Sequence, residues 1–247
     1  VTNVITNPAT DPHDYEPTSQ DARDFADAQL VIDNGVGYDP WAPKLLDANP
    51  VDGRRVITVG DVVGVKAGGN PHRWYSPPDV QRMIDAITAG YKRLDPQHAA
   101  YFDSRRVSFR TRALAGYKAL IAAIRKRYAG VPVGASESIF VPLAQSLGLR
   151  LLTPSDLLDA VSEGTEPTAA AKSEADTQIA QKQIKVWVYN SQNATPDVQR
   201  LTSEARARGI AVATVTETLT PASASFEQWQ SRELRELAQA LAKGTGR

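Results

Sequence analysis

Two of the three histidines in this chain lie in loops with the same grammar. Asp11-Pro12-His13-Asp14-Tyr15-Glu16-Pro17 sets an imidazole between two prolines and among carboxylates, and Asn70-Pro71-His72-Arg73-Trp74-Tyr75-Ser76-Pro77-Pro78 sets another before aromatics and a closing proline pair. Proline fixes its own φ and drives the preceding residue toward an extended conformation, so both loops are stiffened before any tertiary contact forms. One imidazole on a stiff loop serves equally as a hydrogen-bonded structural group or as a metal ligand. Two such loops, each beside a strand end where open α/β sheets place their clefts, tilt the reading toward ligation. The third histidine, His98, follows Asp95-Pro96 at the start of a helix with no partner motif and reads as a surface residue.

The other chemical classes find less support. The chain has no cysteine and one methionine, which removes disulfides, thiolate nucleophiles and soft metal sites and leaves nitrogen and oxygen as metal donors. Gly134-Ala135-Ser136-Glu137-Ser138 approaches the hydrolase elbow G-x-S-x-G, but the last glycine is missing and no histidine follows the serine in chain order. Neither the phosphate-cradling G-x-x-x-x-G-K-[ST] nor the H-E-x-x-H zinc-protease signature occurs. The basic run Arg105, Arg106, Arg110, Arg112, Lys118, Arg125, Lys126 and Arg127 is scattered around its helix without an aromatic ladder, which reads as a solvated face and not as a nucleic-acid surface.

Composition agrees with that. At 247 residues, 42% hydrophobic and 23% charged, the chain is long enough for one large domain or two small ones, and Lys plus Arg balance Asp plus Glu at 28 each. Nothing global recommends a nucleic acid or an anionic membrane as partner. No apolar run approaches the roughly 18 residues that span a bilayer. Val1-Thr2-Asn3-Val4-Ile5 reads as a strand already under way, so further polypeptide upstream is expected.

The elements that would position the histidines alternate between strand and helix. Thr18-Ser19-Gln20-Asp21 starts a helix to about Ala28, Leu30–Ile32 is a strand ending in Asn34-Gly35, Pro40-Trp41 opens a helix, and 55–60 is a second buried-type strand. A helix runs from Ser76 to Leu94. Asp95-Pro96 then begins one that could continue to Tyr128, on the order of 50 Å at 1.5 Å per residue, which reads as a spine between two halves. Strands follow at 130–135, 149–152, 184–189 and 210–215 with helices between, and an amphipathic helix spans about 226–242. The pattern gives an α/β fold: two βα lobes with mostly parallel sheets joined by a long helix, divided as 1–95, 96–128 and 129–247.

These motifs together resemble the metal-binding solute-binding proteins of ABC importers for zinc, manganese or iron. The resemblance rests on Asp11 to Pro17, the Asn34-Gly35 turn with Pro40-Trp41 behind it, Asn70-Pro71-His72, Asp95-Pro96 and Ala135-Ser136-Glu137, and it covers nearly the whole chain. It implies a metal in the cleft between two lobes, with His13 and His72 as the first two ligands, Glu137 just after the first strand of the second lobe as the third, and Glu217 as the fourth. The fourth position is usually Asp, so Glu217 is a departure, with Glu166 or Asn190 as substitutes. The family's usual His-rich loop is missing between Asp61 and Asn70, and its opening strand and helix are not in this sequence.

What the resemblance implies is extracytoplasmic capture of Mn²⁺ or Zn²⁺ as transported cargo and delivery to an ABC permease with its ATPase, by a monomer attached to the membrane only through a lipid anchor beyond these residues. Two neutral imidazoles and two carboxylates cancel the charge of a divalent cation. Oxygen-rich, sulfur-free ligation suits Mn²⁺, while the Irving–Williams order lets Zn²⁺ bind at least as tightly. Four protein ligands leave no open position for substrate water, which favours carriage over an enzyme. A metallohydrolase on the same four residues and a metal-stabilised surface adhesin are the alternatives.

Overall fold

A computed structural model of the chain describes residues 1–8, 10–193 and 195–247. The chain divides into two compact units, Val1–Ala113 and Leu114–Arg247.

In the first unit, α1 (Ser19–Asp27) begins at a complete capping box: Thr18 Oγ1 accepts the Asp21 N–H, and the Asp21 carboxylate accepts the Thr18 N–H. The strands β1 (Leu30–Asp33) and β2 (Arg55–Thr58) pair in parallel, Val31 opposite Val56 and Asp33 opposite Thr58, with α2 (Trp41–Ala48) as the crossover between them. Phe25, Val31 and Ala42 form the buried centre of this βαβ unit. Arg54, just before β2, donates to the carbonyls of Phe25, Ala28 and Asn49 and so ties the ends of α1 and α2 to the second strand.

The expected strand at residues 1–5 does not form. Among the described residues β1 pairs with β2 alone, and Val4 packs instead against the cluster around Phe25. β2 also stops at Thr58 rather than Gly60, because α3 (Val59–Val63) starts there with Asp61 in its first turn and closes on left-handed Gly64. The helix α4 (Pro77–Leu94) crosses the sheet at Gly90, where an added Cβ would stand 3.2 Å from Ile57 Cδ1.

The helical stretch expected over 96–128 is built in pieces: a 3₁₀ turn at Pro96–His98, α5 (Ala99–Ser108), a π-helical segment at Phe109–Ala113, and α6 (Ala115–Tyr128). The division between the two units falls at the end of the π segment. The arginines just before it are not merely solvated, since Arg106 and Arg110 both grip Asp85 of α4, at 2.8 and 2.7 Å. Burial raises the Asp85 pKa, but these guanidinium bonds outweigh it and hold the carboxyl below its usual range.

In the second unit, β3 (Pro132–Ala135), α7 (Val141–Leu147), β4 (Arg150–Leu151), α8 (Ser155–Ser162), α9 (Ala169–Ala180), β5 (Val186–Asn190), α10 (Pro196–Ala207), β6 (Ala211–Val215) and α11 (Phe226–Thr245) make a parallel sheet of order β4-β3-β5-β6 flanked by helices. Trp187, Ile179, Val198, Leu201 and Ala205 fill the space between the sheet and α9 and α10, with the indole N–H on Thr202 Oγ1 at 3.0 Å. Gly134 is small for that reason: a Cβ there would meet the Trp187 ring at 2.9 Å. The free edge of β6 is covered where Glu236 of α11 accepts the Thr214 N–H at 3.0 Å. Two α/β units with parallel sheets are therefore what the alternating pattern led to.

Candidate functional site

The two Pro-His loops of the first unit share one device. Asp11 Oδ1 accepts the backbone N–H of His13 at 2.9 Å, and Asn70 Oδ1 accepts that of His72 at 3.0 Å. In each, an Asx side chain bridges over proline to the histidine two residues on, forming an Asx turn that proline pre-sets. Neither loop stands alone. Trp41 Nε1 donates to the Pro12 carbonyl at 3.4 Å and Asn34 Nδ2 to the Pro71 carbonyl at 3.1 Å, so the first residue of α2 holds one loop and the turn after β1 the other. That turn is itself clamped by Asp39, whose two carboxylate oxygens accept the N–H groups of Asn34 and Gly35 at 2.7 and 2.8 Å. Gly35 has φ +65°, and a Cβ would stand 2.5 Å from Thr58 Cγ2, so only glycine fits.

The result is a histidine pair with little freedom. The two rings have centroids 6.0 Å apart, and a ring nitrogen of one lies within 4.8 Å of a ring nitrogen of the other. Two nitrogens on one tetrahedral zinc lie about 3.4 Å apart, so small side-chain rotations bring both onto one ion. Tyr38 packs edge-on against His13 at 4.6 Å and His72 at 5.9 Å, and Trp74 backs His72 at 5.4 Å. His72 is fully buried, while His13 is half-buried with its Nε2 enclosed and given no hydrogen-bond partner among the described residues. A tether fixes the first loop further out: Tyr15 O–H donates to Asp21 at 2.8 Å, and burial and that carboxylate push the Tyr15 pKa up to about 12.

His98 is exposed and bonded to Asp95, as a surface residue would be.

In the second unit the carboxylates gather at the carboxyl ends of the strands. Glu137 follows β3 by two residues and is 1% exposed; Glu217 follows β6 by two and is 8% exposed. β5 lies between those strands, and its last residue, Asn190, reaches both. Its Nδ2 donates to Glu137 Oε1 at 2.5 Å and to Glu217 Oε1 at 2.8 Å. Asn193 Nδ2 takes the other oxygen of Glu137, at 2.6 Å. Gln192 Oε1 accepts the N–H groups of Glu217 and Thr218 and so fixes the backbone under the second carboxylate.

Asn190 and Glu166, the substitutes for the fourth position, and Ser136 make the following contacts. Asn190 turns its nitrogen to the carboxylates and its oxygen to the Gln192 N–H at 2.9 Å, so it acts as a donor between them. Glu166 is exposed and ion-paired with Lys172. Ser136, the would-be elbow serine, is buried and accepts the Asn190 N–H at 3.1 Å. Asn190 and Asn193 are neutral, so they hold the two carboxylates without cancelling their charge. A buried carboxylate pair of this kind suits a cation.

The iron-binding protein YfeA of Yersinia pestis is 28% identical over 161 residues, which is 61% of this chain and 50% of that protein. The zinc-binding lipoprotein AdcA of Streptococcus pneumoniae is 26% identical over 219 residues, 78% of this chain and 41% of that protein. The chain thus spans about half the length of these curated relatives. Among solved structures, the periplasmic zinc-binding protein TroA of Treponema pallidum superposes with a TM-score of 0.78 at 18% identity, covering 95% of this chain and 88% of that one. A Mn-bound periplasmic metal-binding protein from Candidatus Liberibacter asiaticus gives 0.73 at 21% identity, with 94% and 88% covered. At these identities the structures speak to the fold. The family model for the periplasmic component A of the zinc-uptake complex, ZnuA, matches residues 1–240, and the chain belongs to that family.

Proposed function

We propose that this protein captures a divalent transition metal, Zn²⁺ or Mn²⁺, outside the cytoplasm and delivers it to an ABC permease and its ATPase, with His13, His72, Glu137 and Glu217 as the ligands. The observation that carries the reading is the histidine pair of the first unit: two imidazoles on Asx-Pro turns, both anchored by the segment after β1, with His72 held in one tautomer by Asn70. The paired carboxylates of the second unit supply the two negative charges that a divalent ion requires. The ion is cargo, not a cofactor, and the protein works as a monomeric carrier without turnover. Residues 96–128 serve as the joint between an N-terminal lobe, 1–95, and a C-terminal lobe, 129–247. The names of its relatives speak of iron, zinc and manganese, which is the range of ions to test.

Competitive titration of chelated, metal-free protein with Zn²⁺ and Mn²⁺ is the test. One ion per chain is expected, with affinity falling at least a hundredfold in His13→Ala and in His72→Ala. Full stoichiometric binding in both variants would sink the reading.

A further inference from the structure

Asn190 holds a position that the order of the strands creates and that no spacing in the chain announces. β5 separates β3 from β6, and the register sets Ala135 opposite Val188 and Asn190 opposite Val215. Continued by two residues, β3 brings Glu137 level with Asn190 on one side, while β6 brings Glu217 just past it on the other. A side chain at the end of the middle strand is thus flanked by both. Asparagine suits the place because one amide nitrogen carries two hydrogens diverging by about 120°, one for each carboxylate. Its orientation is set by its partners: the nitrogen faces two acceptors and the oxygen faces the Gln192 N–H donor. The backbone N–H of Asn190 donates to Ser136 Oγ at 3.1 Å, and the residue is fully buried.

We propose that Asn190 is a positioning residue for metal capture: its amide bridges Glu137 and Glu217 so that both are presented to one incoming divalent ion. This rests on the assignment of those glutamates as ligands. Two buried carboxylates at this range repel each other, and without a bridge each is better placed when swung away from the other. With hydrogen bonds of 2.5 and 2.8 Å diverging by about 120°, the two oxygens lie about 4.5 Å apart. Two oxygens on one tetrahedral ion lie about 3.4 Å apart, so the bridge leaves each within about an ångström of its place in the coordination sphere. Each carboxylate oxygen has two lone pairs, so it can keep its amide hydrogen bond while it ligates. The arrangement matches the partners that orient metal ligands elsewhere, whose removal costs 10- to 100-fold in affinity.

The experiment compares the wild-type chain with Asn190→Leu, which has similar volume and no donor, and with Asn190→Gln, which restores an amide on a longer stem. Zn²⁺ affinity is read by chelator competition, and the geometry of bound Co²⁺ by its visible absorption. A 10- to 100-fold loss of Zn²⁺ affinity in Asn190→Leu, a weakened and shifted Co²⁺ band, and partial recovery of both in Asn190→Gln would bear the proposal out. Wild-type affinity and an unchanged Co²⁺ band in Asn190→Leu, with only a lowered melting temperature, would make Asn190 a packing residue and overturn it. So would tighter binding, which would mean that the bridge competes with the ion. Should the leucine variant not fold, Asn190→Ser, small enough for the same space, is held to the same two readouts. A wild-type chain that binds no metal, or Glu137→Gln and Glu217→Gln variants that bind as wild type does, would strike the underlying ligand assignment instead.

Discussion

Asn70 Oδ1 stands 3.0 Å from both the backbone nitrogen and the ring Nδ1 of His72. The backbone N–H can only donate, so the atom facing it is the amide oxygen, and the ring nitrogen sharing that oxygen carries the proton. A neutral His72 is therefore the Nδ1–H tautomer, which puts its lone pair on Nε2, the atom that the proposed ligation uses. Asn70→Ala is expected to weaken metal binding by about 10- to 100-fold, the usual cost of losing the group that orients a ligating histidine. Asn70→Asp, which keeps the acceptor and strengthens it, should bind within a few-fold of wild type. Isothermal titration of both variants with Zn²⁺ is the check, and equal losses in the two would remove the tautomer argument.

The first loop hangs on Asp21, whose Oδ2 accepts from Thr18 N at 2.6 Å, Thr18 Oγ1 at 2.7 Å and Tyr15 O–H at 2.8 Å. Burial acts to raise the Asp21 pKa, but the Thr18 and Tyr15 bonds prevail and hold it below its ordinary value. A carboxylate depressed in the folded state adds stability above its unfolded pKa, near 3.9, and loses it as pH falls through the folded value. Asp21→Asn should cost about 1 kcal/mol at pH 6, the scale of a helix cap. It should also flatten the acid limb of the stability curve below about pH 4. Urea midpoints between pH 2.5 and 6 measure both, and parallel curves for the two proteins would count against the tether.

Much of this was legible in the sequence, because Asx-Pro-His repeats, strand-helix alternation and capping residues are local signals. Thr18 and Asp21 announced the start of α1, and the two loops announced their histidines. What was not legible depends on contacts between segments far apart in the chain. The residues at 1–5 have strand-like composition, yet a strand needs a neighbour to take its N–H and C=O groups, and Val4 packs against Phe25 instead. Nor does any spacing reveal that β5 lies between β3 and β6, so the Asn190 bridge between two carboxylates had no local signal. The arginines at 106 and 110 lacked a visible partner because Asp85 lies on another helix.

Asp33, at the end of β1, was not singled out by any motif, yet its carboxyl group is buried beside two other carboxylates. It is 7% exposed, its Oδ1 has no hydrogen-bond partner among the described residues, and Asp39 and Asp61 add negative charge nearby. Burial pushes its pKa up, and the hydrogen bond from Thr58 only partly offsets this. The sign is opposite to that of Asp21. A folded state that holds the proton more tightly than the unfolded one loses stability as pH rises from the unfolded pKa through the raised folded value. Asp33→Asn removes that loss while keeping the size of the side chain and an oxygen for Thr58. The variant should match wild type near pH 2.5, where the folded and unfolded states both hold the Asp33 proton, and exceed it in melting temperature by a margin that opens above about pH 4 and grows toward pH 7. Calorimetric scans of metal-free protein across that range decide the point. A margin that stays constant with pH would mean that Asp33 does not titrate between the folded and unfolded states as its burial requires.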